Sequence, residues 1–434
     1  MDINIGIAGL IVFLLLIAFG MRIAFAAIFV GIIGLIVLMG FEKGLATVSY
    51  LAWVDIAKWS LSVIPAFIIM GYFAFYSGVT EEFFVIIRHW FGWLPGGLAI
   101  ATALGGIGLG ATTGSGTASC SILAKISFPE MAKSKYDPRL TAGVIAATGT
   151  VAMLIPPSIF LTVYGILVEE SIAALLLAGI VPGILSMVIY AAMVFFWVKK
   201  NPSLAPAIEK SSWKVRFASL KGFWGVPLIM AVFLGGLFFG VFTPTEAGAL
   251  GALTTLLLAL LRRRLSRANL KEGITETLHT TILVFAILLG VLLFGRFLIY
   301  SGVGPAFTSF VVALPLPSYL ILASLLLMYA ILGCFITGLA MIMITIPIVY
   351  PLLPVIGVHP IVFGILLAKL VELAQITPPV GINLYIMKAL SPQIPLSTII
   401  RGAIPFAAMD MVTIIILLAF PQIILFIPKL AGVL

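Results

Sequence analysis

Two proline pairs inside apolar stretches are the residues of this chain whose type and spacing first indicate chemistry. Pro156-Pro157 and Pro378-Pro379 each interrupt a long apolar segment. A proline lacks an amide N–H and breaks helical hydrogen bonding, so each pair frees backbone carbonyls that need another partner. Carbonyls of this kind bind Na⁺ readily. We therefore expect two Na⁺ sites; for either pair taken alone, a packing kink without an ion is the alternative.

Two polar interruptions accompany the proline pairs. One is the glycine- and threonine-rich run 110–117 within the apolar block 97–128, and the other is the run 333–338 within the block 318–352. Each half of these blocks has about 12–15 residues, fewer than the ~20 needed to span a bilayer. We predict two re-entrant helical hairpins whose tips meet the proline pairs. Close helix packing by small residues is the alternative for the first run.

The helical segments that begin at the tips and after the proline pairs would point their N-terminal ends at one central region. Such ends carry partial positive charge and suit an anion. Neutral hydroxyl, amide and backbone groups would complete the site. The candidate anion-binding residues are Ser115, Gly116, Thr117, Pro156, Ser158, Thr337, Gly338, Pro378 and Asn383, with further hydroxyls at Thr112, Thr113, Ser119 and Thr377.

The composition shows what surrounds these residues. Of 434 residues, 62% are hydrophobic and 9% are charged, against about 45–50% and about 25% in ordinary globular chains. This excludes a soluble enzyme or a nucleic-acid binder and predicts an all-α polytopic membrane protein. The chain has no Walker A loop, zinc-protease motif or nucleophile elbow, and two cysteines form neither a disulfide framework nor a zinc motif. We expect no cofactor beyond a coupling ion.

The positions of the basic residues predict how the chain is oriented across the membrane. These residues are concentrated in the connections 125–139, 199–221 and 262–271, which the positive-inside rule places in the cytoplasm. This assignment puts the N-terminus outside and gives ten crossings with two opposed hairpins. Glu246 is expected to be a helix-start acid, and Lys369 and Glu372 to form a structural pair. The stretches 79–94 and 207–223 are either interfacial helices or solvated loops.

An internal repeat supports this organisation. An offset of 222 residues aligns Pro95 with Pro317, Pro129 with Pro351, Pro138 with Pro360, and the two proline pairs with each other. We divide the chain into a first repeat at 1–200, a basic connector at 201–223 and a second repeat at 224–434. Five crossings per repeat, an odd number, require the repeats to be inverted. Inverted repeats with paired broken helices are typical of secondary transporters.

Four motifs resemble the large membrane subunit of the tripartite ATP-independent periplasmic (TRAP) transporters. They are Ile126-Ser127-Phe128-Pro129-Glu130-Met131, the segment from Gly149 to Ser158, the Thr-Pro-Thr-Glu-Ala run at 243–247, and the segment from Glu372 to Asn383. The resemblance implies an elevator-type, Na⁺-coupled importer of an organic acid such as a C4-dicarboxylate or sialic acid. It also implies a small four-helix membrane subunit and a periplasmic binding protein as partners, at a bacterial or archaeal inner membrane.

The resemblance also implies particular Na⁺ ligands. The first site would use Ala111, Thr112, Thr113, Ala152, Ile155 and Pro157, and the second would use Gly333, Ala374, Thr377 and Val380. Two positions depart from the family pattern: Thr337 stands where many members have aspartate, and Leu370 stands where they have asparagine. Substrate class and Na⁺ stoichiometry therefore stay open. A stand-alone Na⁺/carboxylate symporter and a non-transporting scaffold or receptor are the alternatives.

Overall fold

The computed structural model describes residues 2–206, 209–222 and 224–434, and its regular elements are all helices. The predicted all-α class is confirmed. The first half contains the helices α1 Ile3–Ala18, α2 Ile23–Met39, α3 Phe41–Tyr50, α4 Val63–Tyr76, α5 Val79–Phe91, α6 Gly97–Thr113, α7 Gly116–Lys133, α8 Pro138–Thr150, α9 Ile159–Val168 and α10 Ile172–Lys200.

The connector contains α11 Trp213–Ser219; the rest of the predicted stretch 207–223 is partly outside the described residues. The second half contains α12 Gly225–Met230, α13 Gly236–Phe238, α14 Pro244–Leu261, α15 Arg267–Ser301, α16 Val303–Ala313, α17 Ser318–Gly333, α18 Gly338–Val349, α19 Pro360–Gln375, α20 Ile382–Leu390, α21 Leu396–Ala419 and α22 Gln422–Leu430. Short π or 3-10 turns lie at 51–55, 59–62, 151–153, 202–204, 220–222, 231–235 and 350–352.

Several of these helices suit a bilayer. Within the described ranges, 6 helices are long and apolar enough to cross a membrane, the longest being Arg267–Ser301. Other apolar helices have 10–17 residues, and two pairs, α8 with α9 and α19 with α20, are interrupted at the proline pairs. The molecule is therefore a multi-pass membrane protein, while ten crossings and the inverted orientation of the repeats stay predictions.

The two halves share one order of elements. The hairpin α6–α7, the broken helix α8–α9 and the long α10 correspond to α17–α18, α19–α20 and α21. Pro138 and Pro360, which are 222 residues apart, occupy the first turns of α8 and α19, where a missing amide N–H has no cost. The side chains of Asp137 and His359 cap these helices by accepting from backbone N–H groups. The repeat in the sequence thus reappears as a repeat of local structure.

Three of the four hairpin helices are longer than expected. Those of the first hairpin have 17 and 18 residues and those of the second have 16 and 12, against the expected 12–15. The largest difference is in α7, which continues through Pro129 to Lys133 instead of ending at 128. This polar extension is anchored by Glu130, whose carboxylate lies 2.6 Å from the Arg88 guanidinium of α5. The apolar pattern that ends at 128 therefore does not mark the end of the helix, and Met131 beyond it is still buried.

The packing separates two groups of helices. The hairpins and broken helices share one large core, whereas a smaller core lies between α1, α2 and α15 around Phe13, Phe294 and Phe297. α2 and α15 approach closely: a Cβ on Gly31 would lie 2.7 Å from the backbone of Leu293. α15 also contacts α18 and α4. It therefore takes part in both cores: Val284 and Leu288 belong to the large core, and Leu293 and Leu298 belong to the smaller one.

Candidate functional site

The first hairpin tip packs directly on the first proline-pair break. α6 ends at Thr113, and Gly114 follows with a left-handed φ of +63°. A Cβ on Gly114 would collide with the carbonyl oxygen of Pro157, so this approach needs glycine. The Ile159 N–H donates to the Gly114 carbonyl at 3.4 Å. Tip and break are thus held together as one junction.

The residues predicted for the first Na⁺ site lie around this junction. A Cβ on Gly110 would be 3.0 Å from Ile155 Cβ and 3.4 Å from Ala152 Cα, which places the last turn of α6 against the segment before the break. The Thr113 hydroxyl lies 2.5 Å from that of Ser119. The structure gathers at this junction the predicted set Ala111, Thr112, Thr113, Ala152, Ile155 and Pro157.

The second tip and break meet in the same way. The Val380 N–H donates to the Cys334 carbonyl at 3.1 Å. A Cβ on Gly333 would lie 2.7 Å from Ala374 Cβ, so α17 and α19 pack here without a side chain between them. The Thr377 hydroxyl donates to a backbone carbonyl of the preceding helical turn at 2.6 Å. Gly333, Ala374, Thr377 and Val380, the set that the family resemblance implies, therefore share one junction; Na⁺ binding there stays a prediction.

The two junctions differ in exposure. Pro156 and Pro157 are buried, whereas Pro378, Pro379 and Val380 are exposed, and Val380 retains 38% of its accessible surface. The peptide bond within each proline pair is cis. The second proline pair is therefore the more exposed of the two.

One cavity joins the two hairpin tips. It has a volume of about 420 Å³, within the range of sites for small ligands. Ser115 and Thr117 border it from the first tip, Thr337 and Gly338 from the second, and residues of the second break close one side. Its opposite wall is α15, from Thr280 to Ile287. None of its lining residues is charged. The cavity thus lies between the two hairpin tips and α15.

The remaining predicted anion-binding residues lie outside this lining. Gly116 is next to it, since a Cβ there would be 2.6 Å from Gln375 Oε1. Ser158 caps α9: its hydroxyl accepts from the Leu161 N–H at 3.1 Å and donates to the Met153 carbonyl. The Asn383 amide donates to the Ala146 carbonyl at 2.9 Å. Pro156 and Pro378 are in the breaks themselves.

Two polar cavity residues were not predicted from the sequence. Gln375 ends α19, and its Oε1 has no hydrogen-bond partner among the described residues. Its Nε2 lies 3.4 Å from the sulfur of Met153, in the other half of the chain. Thr280 projects from α15. Both are polar residues within apolar spans, and that property is the signal by which a sequence search could find them.

A buried ionic cluster lies away from the cavity lining. Lys369 Nζ is 2.7 Å from Glu372 Oε2, so the predicted pair is present, and it is 2.6 Å from Asp410 Oδ1 on α21. All three side chains are 0% exposed. Lys369 also donates to Ser186, and the Tyr190 hydroxyl donates to Asp410 at 2.7 Å, both from α10. Asp410 was missed, although it is the only acid in α21.

A second cavity of about 250 Å³ adjoins the central one. The two share Ser115 and Thr280 as lining residues. The second cavity passes between α4 and α7 to Lys125 and Glu272, on the side that the basic connections predict to be cytoplasmic. A mostly apolar cavity that ends at two charged residues therefore adjoins the first tip.

A larger cavity of about 710 Å³ lies beside the segment before α4, the end of α9 and the start of α14. Its walls include Asp55 and Lys58, which pair at 2.6 Å, together with Arg296 and Glu246. Glu246 forms a capping box with Thr243, which confirms its expected place at a helix start. No cluster of three or more His, Cys, Asp or Glu side chains suited to a metal occurs in the described part of the chain.

Comparison with known proteins identifies relatives along almost the whole chain. The family described as "Tripartite ATP-independent periplasmic transporter, DctM component" matches residues 10–423. The "C4-dicarboxylate TRAP transporter large permease protein DctM" of Pseudomonas aeruginosa is 32% identical over 377 residues, covering 86% of this chain and 87% of that protein. The "Sialic acid TRAP transporter large permease protein SiaM" of Vibrio cholerae is 29% identical over 415 residues, covering 95% of each.

A solved structure is similar in fold. The YdaH transporter of Alcanivorax borkumensis superposes with a TM-score of 0.63 at 13% identity, covering 88% of this chain and 90% of that one. At this identity the likeness concerns the fold alone. It agrees with an all-α membrane architecture.

Proposed function

The chain belongs to the DctM component family of the tripartite ATP-independent periplasmic transporters, as a large membrane subunit, and from this we propose that it imports an organic acid anion coupled to Na⁺. The observation that carries the proposal is the central cavity, which both hairpin tips and the second break line against α15. Relatives named for C4-dicarboxylates and for sialic acid suggest a carboxylate as the substrate class.

The cavity would hold the anion without a fixed positive charge. The N-termini of α7 and α18 begin at Gly116 and Gly338, beside the hydroxyls of Ser115, Thr117 and Thr337. Helix N-termini attract carboxylates through free N–H groups and the helix dipole. A Na⁺ ion at each tip-and-break junction would add positive charge next to this region. Anion affinity would then depend on Na⁺.

The same arrangement supports an elevator movement. The junctions tie each hairpin to its broken helix, and one core encloses both. α15 packs with α2 through close glycine contacts, and only Val284 and Leu288 among its buried residues join the core of the hairpins. We propose that the hairpins and their broken helices move as a unit along α15 and carry the anion from the outer side to the cavity that ends at Lys125.

The proposal includes two partners and a location. A periplasmic binding protein would deliver the anion, and a small four-helix membrane subunit would complete the scaffold at the inner membrane. The family name specifies a tripartite periplasmic system, which is what supports these partners. They are not part of this chain.

The test is transport by the reconstituted system. The chain would be placed in liposomes with its small subunit, the binding protein added outside, and uptake of a radiolabelled carboxylate followed. An inward Na⁺ gradient should drive uptake, and choline in place of Na⁺ should abolish it. Uptake that continues without Na⁺ but stops when a proton gradient is removed would overturn Na⁺ coupling. Equal uptake without the binding protein would favour a stand-alone Na⁺/carboxylate symporter.

A further inference from the structure

Arg216 in the basic connector is buried without a counter-charge. It lies in α11 and is 4% exposed. It takes part in none of the ion pairs formed by the described residues. Its Nε and Nη2 atoms are buried and have no hydrogen-bond partner among the described residues. A buried charge is strongly unfavourable unless an anion pairs with it.

The surroundings of Arg216 leave one edge of its guanidinium free. Its central carbon lies 5.1 Å from the ring centroid of Trp213 and 5.9 Å from that of Trp93. Such ring contacts stabilise the cation but accept none of its in-plane N–H bonds. Nε and Nη2 are the two donors along one edge of the guanidinium. This pair binds the two oxygens of a phosphate or carboxylate side by side.

Further donors lie in the same cluster. The ammonium group of Lys210 is 4.8 Å from the Trp93 ring centroid, so two cations share this indole. The Trp90 ring lies 6.4 Å from that of Trp213, and its indole N–H is buried without a partner among the described residues. The cluster therefore combines two positive charges with unused hydrogen-bond donors, as an anion site requires.

The position of the cluster identifies the source of the anion. α5 and α11 pack together, and His89 contacts Ser211 at 2.9 Å. Trp93 and Trp213 keep 43% and 60% of their surface exposed. Exposed indole rings next to basic residues are typical of the headgroup layer. The connector lies on the side predicted to be cytoplasmic, where anionic lipids give the membrane surface a negative potential.

We propose that Arg216, Lys210 and Trp90 form a binding site for the phosphodiester headgroup of an anionic phospholipid. The phosphate oxygens accept from the free edge of Arg216, Lys210 adds charge, and the acyl chains run along the exposed aromatic rings. The lipid joins α11 to α5 and so fixes the connector between the two repeats at the membrane surface.

Native mass spectrometry of the full chain tests this site. Purified protein in detergent is titrated with phosphatidylglycerol, and phosphatidylcholine serves as the neutral control lipid. The wild type should bind phosphatidylglycerol in preference. Arg216→Gln should weaken that binding about ten- to hundredfold, the effect of losing charge-assisted hydrogen bonds. Lys214→Gln, an exposed residue of the same helix, is the matched control and should leave the affinity unchanged.

Two further measurements keep the test decisive. Lys210→Gln changes an exposed side chain, which spares the fold if Arg216→Gln aggregates, and it should weaken phosphatidylglycerol binding about threefold. Inorganic phosphate alone is titrated as well and should bind far more weakly than the lipid. Three results would each overturn the proposal. They are equal affinity of the wild type for the two lipids, unchanged phosphatidylglycerol affinity in both Arg216→Gln and Lys210→Gln, and inorganic phosphate binding as tightly as phosphatidylglycerol.

Discussion

Moving one methyl group across the second junction tests the proposed Na⁺ site. A Cβ on Gly333 would lie 2.7 Å from Ala374 Cβ, whereas nonbonded carbons rest about 3.5–4.0 Å apart. Gly333→Ala must therefore push the hairpin tip away from the break by about 1 Å. Overpacking of this kind costs about 1–3 kcal/mol. Metal–ligand distances tolerate only about 0.2 Å, so Na⁺ binding at this junction should be lost.

The assay is the thermal unfolding midpoint of the purified chain in NaCl and in choline chloride at equal ionic strength. An ion that binds only the folded state stabilises it by RT ln(1 + [Na⁺]/Kd), about 1.4 kcal/mol at tenfold excess over Kd. The wild type should show this Na⁺-specific rise from both sites, and Gly333→Ala should lose the share that the second site contributes. The two Na⁺ sites are measured together, so the first site leaves a residual response.

The reverse change should restore Na⁺ binding. Ala374→Gly alone costs about 1 kcal/mol in helix stability but keeps the Na⁺ response, and the double variant Gly333→Ala with Ala374→Gly has one methyl group at the junction, as the wild type does. Gly235→Ala is the control, because a Cβ there meets nothing within 4 Å. A double variant as unresponsive to Na⁺ as Gly333→Ala, or a wild type with no Na⁺-specific rise, would refute the reasoning.

Three other substitutions test separate parts of the structure. Thr243→Ala removes the cap of α14 and should lower the free energy of unfolding by about 1 kcal/mol, measured by chemical denaturation, with little change for Thr243→Asp. Lys369→Met leaves buried carboxylates unpaired and should cost about 3–5 kcal/mol; adding Asp410→Asn should recover part of this, and simple additivity would contradict the cluster. Gly114→Ala strains a left-handed residue against the first proline pair and should abolish Na⁺-driven uptake, whereas Gly20→Ala, also left-handed but in open space, should retain it.

Local backbone chemistry explains why so much of the site was predictable. Proline and glycine act through their own φ angles and missing groups, so the breaks at the proline pairs and the tip at Gly114 follow from the sequence alone. The same holds for the start of α8, where Asp137 caps and Pro138 occupies the first turn. These features need no knowledge of distant contacts. The proline pair and Pro138 recur 222 residues later, whereas position 336, which corresponds to Gly114, is isoleucine.

Contacts between helices were not predictable in this way. The partnership of Asp410 with Lys369 spans 41 residues, and that of Asp410 with Tyr190 spans 220. A lone acid in an apolar helix signals a buried partner, but its identity depends on how three helices pack. The unequal exposure of the two proline pairs has the same origin. Equal sequence motifs acquire different surroundings: Val380 and Gly381 beside the second pair line the central cavity, whereas both prolines of the first pair are buried.

The charged side chains that join the helices lie apart from the cavity that would bind the anion. Lys369 and Glu372 on α19 and Asp410 on α21 are buried and paired, and none of them lines the cavity. A fixed cation in the cavity would bind an anion equally well before and after transport, and release would be slow. In the proposed function, helix ends and hydroxyls provide moderate affinity, and Na⁺ adds the rest only while it is bound. By linkage, the anion must then raise Na⁺ affinity by the same factor. In the proposed function, a cavity without charged side chains would therefore let the Na⁺ gradient control when the anion is held and when it is released.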